Sequence, residues 1–367
     1  MDIVLLIIIG ISGILLFLII GLLLYKQYLK YSTRIETPNG ISSLEEITLG
    51  NLKQWIFIRG MDQNNPVLIF LHGGPGEPSV GMSSSRRLDA ELIKHFTVVH
   101  WDQRGGGKSY SPSIPVESMT LDRLVEDCNE LIDHLRNRFD TPKVFIVAHS
   151  TGTVIGIKTA HRYPEKIHAY VGAAQIINDC EHETINYNFI VEEARRLGNE
   201  KHQAAIEAIG LPPYETPKKL WEKANYIVRY GGMMADFSIV KMIGLVLPYL
   251  TSPEYSLLEG IRTLMGKGRN FTTYALWEEL AKVDFGKEID SIEVPIFFFE
   301  GKHDMITPAV VVKEFFNQLK AEGGKRLVIF ENSAHYPMLE EKEKYLNNLI
   351  EVALKESQND ATDGRSA

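Results

Sequence analysis

The chain has 367 residues with a formal net charge of -8, 44% hydrophobic and 23% charged residues, and two cysteines. This is the composition of a folded protein with a sizeable core, and its acidic balance offers no cationic surface to nucleic acid. Two cysteines exclude a disulfide framework and a multi-cysteine zinc site, and neither a metal nor a cofactor is expected.

Residues 3–24 contain no charge and almost nothing polar. At ~1.5 Å per residue such a helix reaches about 33 Å, enough to cross a hydrocarbon core of about 30 Å. No Lys or Arg precedes the run and no small-x-small site follows it, which favours an uncleaved single-pass anchor in a lipid bilayer over a signal peptide. Tyr25, Tyr28 and Tyr31 suit the interfacial belt. Lys26, Lys30 and Arg34 put the nearby basic charge on the C-terminal side, so the large domain is expected in the cytoplasm, with an external orientation still open. Residues 25–43, with Pro38, Asn39 and Gly40, read as a juxtamembrane linker.

From there the pattern is α/β. Residues 44–49 and 52–58 form a hairpin around Gly50-Asn51, and short apolar strands recur at 67–71, 96–101, 143–148, 168–174, 295–300 and 326–330 with helix-period stretches between most of them. That alternation predicts a mostly parallel sheet flanked by helices. Cys128 falls on the apolar stripe of one such helix, where a thiol is a small buried hydrophobe. Strands cease between 178 and 293, a segment rich in aromatics and broken by Pro212-Pro213, Gly231-Gly232 and Pro253. The core is therefore expected in two parts, 44–177 and 294–355, with a helical cap at 178–293 inserted between them. Residues 356–367 are polar and small and are expected to be a disordered tail.

Open parallel sheets place their sites where strands end. Ala148-His149-Ser150-Thr151-Gly152 joins an apolar strand to a helix-like segment, the setting of a nucleophile elbow; a plain helix cap at Ser150 is the bland alternative. Asp304 follows the strand at 295–300 and His335 the strand at 326–330, giving serine, acid and histidine in the order of an α/β-hydrolase, each past a strand end. The glycines in His72-Gly73-Gly74-Pro75-Gly76 let backbone approach the nucleophile, so the Gly74 and Thr151 N–H groups are the expected oxyanion hole. Gly105 to Ser109 mimics the end of a phosphate-binding loop, but Asp102 stands where that motif needs glycine, and no nucleotide is expected. His72, Asp102 and Arg104 are assigned to bracing the loops around the site.

Leu71-His72-Gly73-Gly74-Pro75-Gly76, followed by Trp101-Asp102-Gln103-Arg104-Gly105 and the serine elbow, resembles the prolyl iminopeptidase family of α/β-hydrolases. The resemblance runs through 67–174 and returns at 295–338. It implies a hydrolase core with an inserted cap and release of residues from the N-terminal end of short peptides or amides. Two positions depart from the family elbow: Ala148 replaces its first glycine and Thr151 its tryptophan. The resemblance also implies a cap carboxylate for the substrate amine. Glu181, Glu183 and Glu192 are the candidates, against the alternative of a solvated acidic face.

These features predict a membrane-anchored serine hydrolase working through Ser150, His335 and Asp304 and an acyl-enzyme, and the resemblance implies that it is of prolyl aminopeptidase type. A lipid or small-ester hydrolase is the alternative. A third reading, a non-catalytic membrane-bound binding protein on this fold, sits poorly with a complete triad.

Overall fold

The computed structural model describes residues 3–81, 89–236 and 238–363. It begins with α1 (Ile3–Ser32), whose apolar side chains lie exposed along its length. The hairpin of β1 (Ile41–Leu49) and β2 (Leu52–Gly60) follows, and its turn residues Gly50 and Asn51 have φ of 52° and 59°. Two consecutive positive φ angles make a turn whose twist matches that of paired strands. Next come β3 (Val67–Leu71), β4 (Thr97–Asp102), α2 (Leu121–Phe139), β5 (Val144–His149), α3 (Gly152–Arg162) and β6 (Ile167–Ala173).

Helices then interrupt the sheet: α4 (Asp179–Arg196), α5 (Glu200–Ile209), α6 (Pro217–Arg229), α7 (Ile239–Thr251), α8 (Leu257–Leu264), α9 (Lys267–Leu280) and α10 (Phe285–Glu288). The chain re-enters the core through β7 (Ser291–Ile292), β8 (Ile296–Gly301), α11 (Ala309–Gln318), β9 (Lys320–Ala321) and β10 (Lys325–Phe330). It closes with α12 (Pro337–Glu340) and α13 (Lys342–Asp363).

The main sheet has eight strands in the order β1-β2-β4-β3-β5-β6-β8-β10. β1 pairs antiparallel with β2 and β2 with β4, and the remaining pairings are parallel. The central strands are mostly apolar because both of their faces are covered: on β5, Ile146 and Ala148 enter the core under α2 and α3, while Phe145 and Val147 enter the opposite core with Tyr345 and Leu349 of α13. Cys128 is buried on the apolar stripe of α2, and burial pushes its thiol up to about 12. The inserted helices are tied down by polar contacts: the Tyr255 hydroxyl donates to Asp102, Lys108 pairs with Glu259 at 2.8 Å, and Thr272 Oγ1 donates to the Pro75 carbonyl at 2.9 Å.

Two boundaries differ from expectation. The stretch 25–43 is helical through Ser32 and extended from Ile41, since no glycine or proline stops α1 and Thr33 N–H still bonds the Leu29 carbonyl at 3.2 Å. At the other end α13 runs on to Asp363 through the first part of the expected tail, again with no helix breaker. Residues 364–367 lie outside the described residues.

Candidate active site

The end of β5 turns into α3 through Ser150, whose φ is +52°. A serine held in this left-handed conformation carries strain that neighbouring contacts must offset. Its N–H donates to the Ala173 carbonyl at 3.0 Å, and its carbonyl accepts from Thr153 N–H at 2.8 Å. Gly152 is required by close approach, because a Cβ there would stand 2.5 Å from the carbonyl oxygens of Leu71 and His72. Ala148 is accommodated because Gly156 faces it: a Cβ added at Gly156 would lie 3.0 Å from the Ala148 methyl.

The elbow presents Ser150 Oγ 3.0 Å from His335 Nε2. His335 Nδ1 in turn donates to Asp304 Oδ2 at 2.8 Å. Asp304 follows β8 and accepts from Ile306 N–H at 2.7 Å, Thr307 N–H at 3.0 Å and the Thr307 hydroxyl at 2.7 Å. Burial alone would raise its carboxyl; the adjacent His335 and these hydrogen bonds hold it below the usual range. Serine, histidine and acid from three separate strand ends therefore form one continuous hydrogen-bond chain.

Gly74 and Thr151 line the same cavity as Ser150 and His335, and among the described residues no group accepts a hydrogen bond from either N–H. Gly73 is held against Ser150, since a Cβ on it would meet Ser150 Cβ at 2.8 Å. His72 Nε2 accepts from Gln103 N–H at 3.1 Å while its Nδ1 donates to the Gly73 carbonyl at 3.0 Å. Burial lowers this imidazole to about 4, which keeps it neutral for both roles. Asp102 accepts from the N–H groups of Ser79, Val80 and Lys108 at 2.7, 2.8 and 2.7 Å. Arg104 bridges Asp127 of α2, at 2.7 and 3.0 Å, to the Gly50 carbonyl at the hairpin turn, at 3.0 Å.

Above Ser150 the helices enclose a cavity of about 430 Å³. Of the three acids named from sequence, only Glu183 reaches it; Glu181 borders a separate groove beside Asp284 and Lys287, and Glu192 is exposed. The helical period explains this, because Asp179, His182, Glu183 and Asn186 share the inward face of α4 while 181 and 192 point away. Glu183 is paired with the buried Lys223 of α6. Asp179 beside it, not named from sequence, is raised to about 7 by burial and by Glu183, against the opposing charge of Lys223. Glu77, directly after the glycine loop, also lines the cavity; burial raises its carboxyl, with Arg269 and His335 opposing. Thr307 carries no signal in the sequence, and His149 reads there only as the residue before Ser150, pointing elsewhere. His149 Nε2 donates to the His335 carbonyl at 2.8 Å, and burial with the neighbouring His335 lowers its imidazole to about 3.

Comparison with known proteins identifies the family. Residues 63–204 match the family model described as serine aminopeptidase, S33. The chain is 33% identical over 318 residues to a probable aminopeptidase of Bacillus subtilis, covering 86% of this chain and 97% of that protein. It is 26% identical to a proline iminopeptidase of Saccharolobus solfataricus, covering 80% and 86% respectively. Among solved structures, the proline iminopeptidase of Mycobacterium smegmatis superposes with a TM-score of 0.63 at 16% identity, over 86% of this chain and 99% of that one. A membrane phospholipase A superposes with a TM-score of 0.63 at 17% identity, over 96% and 97%. With a glycine loop, a serine elbow and a capped parallel sheet in one chain, and with relatives matched over most of their length, the protein is a serine hydrolase that belongs to the serine aminopeptidase family of α/β-hydrolases, alongside the proline iminopeptidases.

Proposed function

We propose that the protein is a membrane-anchored aminopeptidase of prolyl iminopeptidase type in which Ser150 is the nucleophile, His335 the general base and Asp304 the group that orients it. The observation that carries this reading is the Ser150–His335–Asp304 hydrogen-bond chain opening into a cavity that also holds carboxylates. His335 Nε2 takes the Ser150 proton as Oγ bonds the scissile carbonyl carbon, and Asp304 stabilises the imidazolium that results. The oxyanion is received by the Gly74 and Thr151 N–H groups, each such donor being worth about 10²–10³ in rate. His335 returns the proton to the departing amine, and water then hydrolyses the aminoacyl ester with the same histidine as base.

Asp179 and Glu183, in place of Glu181 and Glu192, are the groups suited to the substrate α-ammonium. A buried ammonium needs a carboxylate partner, and leaving it unpaired costs several kcal/mol. Above about pH 7, where Asp179 is ionised as well as Glu183, Lys223 balances only one of the two carboxylates, which favours one further cation. In this reading α1 spans the bilayer, with the basic residues after residue 24 holding the catalytic body on the cytoplasmic side.

The test is a panel of proline amides and short peptides with free and acetylated N-termini beside acyl esters of several lengths. Release of N-terminal proline from free-amine substrates, with steep loss on acetylation, supports the reading. Indifference to the amine together with faster cleavage of acyl esters would assign a lipid or small-ester hydrolase instead, the reading favoured by the apolar N-terminal helix.

A further inference from the structure

Two helices of the inserted segment have the wrong outer surface for contact with water. On α7, Val240, Ile243 and Leu247 are exposed at i, i+3 and i+7; on α8 and its C-terminal cap, Leu258, Ile261 and Met265 repeat the same spacing. Val240 is 75% exposed and Leu258 71%. The two helices pack on each other, so the two stripes belong to one helical hairpin. Apolar surface gathered in this way marks a binding face rather than scattered exposed side chains.

Its neighbour points to what would cover it. α1 packs against α7, and Lys26 Nζ donates to the Tyr255 carbonyl at 2.7 Å, in the connection between α7 and α8. That contact falls at the end of the apolar run, where Tyr25, Tyr28 and Tyr31 are exposed as an interfacial aromatic belt would be. The hairpin is thus attached to α1 at the point that would lie where the bilayer meets water if α1 spans it. Its charges also fit: α7 and α8 carry only Lys241, Glu259 and Arg262. Glu259 is turned inward onto Lys108 and Lys241 pairs with Asp236 at 2.8 Å, so among the described residues no unpaired anion stands on these helices to oppose lipid phosphate. The hairpin further walls a cavity of about 220 Å³ that shares Glu77 and Arg269 with the catalytic cavity, so this face lies beside the reaction site.

We propose that the apolar face of α7 and α8 is a second membrane-contacting element, seated in the headgroup and upper acyl layer of the bilayer that α1 spans. This rests on the reading of α1 as a span. A helix with apolar residues along one side lies in the interface plane and gains affinity from the buried area and from basic neighbours.

The test uses the full chain in vesicles of phosphatidylcholine and phosphatidylglycerol. In a Cys180→Ser background, which leaves only the buried Cys128, single cysteines replace Ile243, Ile261, Leu15 in α1 and, as a water-facing control, Glu207 in α5. Each is labelled with an environment-sensitive fluorophore. The expected result is blue-shifted emission at 243 and 261, lost when shallow doxyl lipids are included, with quenching by deep doxyl lipids at 15 and no quenching at 207. Quenching at 15 with water-like, unquenched emission at 243 and 261 would leave the span standing and overturn the docking. Lack of quenching at 15 as well would remove the span and the docking together. A blue shift at 243 and 261 that depends on protein concentration and ignores doxyl lipid would assign the face to a second copy of the chain and equally overturn the proposal.

Discussion

His149 Nε2 donates a hydrogen bond to the main-chain carbonyl of His335 at 2.8 Å, and the two imidazole rings stand 4.9 Å apart. The residue immediately before Ser150 thus fixes the loop that carries His335. His149→Leu keeps the bulk but removes the donor, and misplacement of the base by about 1 Å is expected to lower kcat about 10²-fold with KM little changed. His149→Gln, which retains a donor, should recover part of the loss. Steady-state kinetics on the three proteins check this.

Ser150→Ala should abolish hydrolysis and fluorophosphonate labelling while circular dichroism is unchanged, since the methyl side chain fits where the serine sits. Loss of a serine nucleophile costs about 10⁶ in kcat, and Asp304→Asn, which leaves His335 in the wrong tautomer, about 10⁴. Labelling that survived in Ser150→Ala would remove the nucleophile assignment.

Gly152→Ala should damage both fold and activity, because the added methyl would meet the Leu71 and His72 carbonyl oxygens at 2.5 Å. The elbow would have to lift away from β3, so the denaturation midpoint and kcat are expected to fall together; overpacking of this kind costs about 1–3 kcal/mol. A variant of unchanged stability and rate would show that the approach is slack.

Asp179 is raised to about 7, so it is neutral below that pH and a carboxylate above it. If it receives the substrate ammonium, KM for a free-amine substrate should fall by about tenfold per unit as pH rises toward 7 and then level off. The N-acetylated substrate should show no such trend, and Asp179→Asn should flatten it. Because the folded state holds this proton more tightly than the unfolded chain, the free protein should lose stability as pH climbs from about 4 to about 7.

Deleting residues 1–31 should convert the protein from one released only by detergent to one released by alkaline carbonate, with kcat and KM for a soluble substrate preserved. No residue of the Ser150 cavity lies in the deleted segment. Persistence in the carbonate-washed membrane would mean that α1 is not what holds the protein there.

The apolar run at 3–24, the alternation of strands and helices, and the three chemical positions at strand ends could be read from sequence because each is a local pattern. A strand of five or six apolar residues followed by a turn rich in small residues specifies both the element and the place where a side chain can project. The acidic lining could not be read in this way. Whether Glu183 or Glu181 enters the cavity depends on how α4 is rotated on the core, and Glu77 faces the cavity only because the cap closes over the glycine loop. The partner His149 was hidden for the same reason, since it bonds a residue 186 positions away, whereas Thr307 donates to Asp304 only three residues back, a local contact that no motif marks. Lys26 likewise reads as a flanking charge until it is seen against Tyr255, 229 residues on. Local periodicity decides which segments become helices and strands; only tertiary packing decides which faces meet, and therefore which charges share a cavity and which apolar stripes are left uncovered.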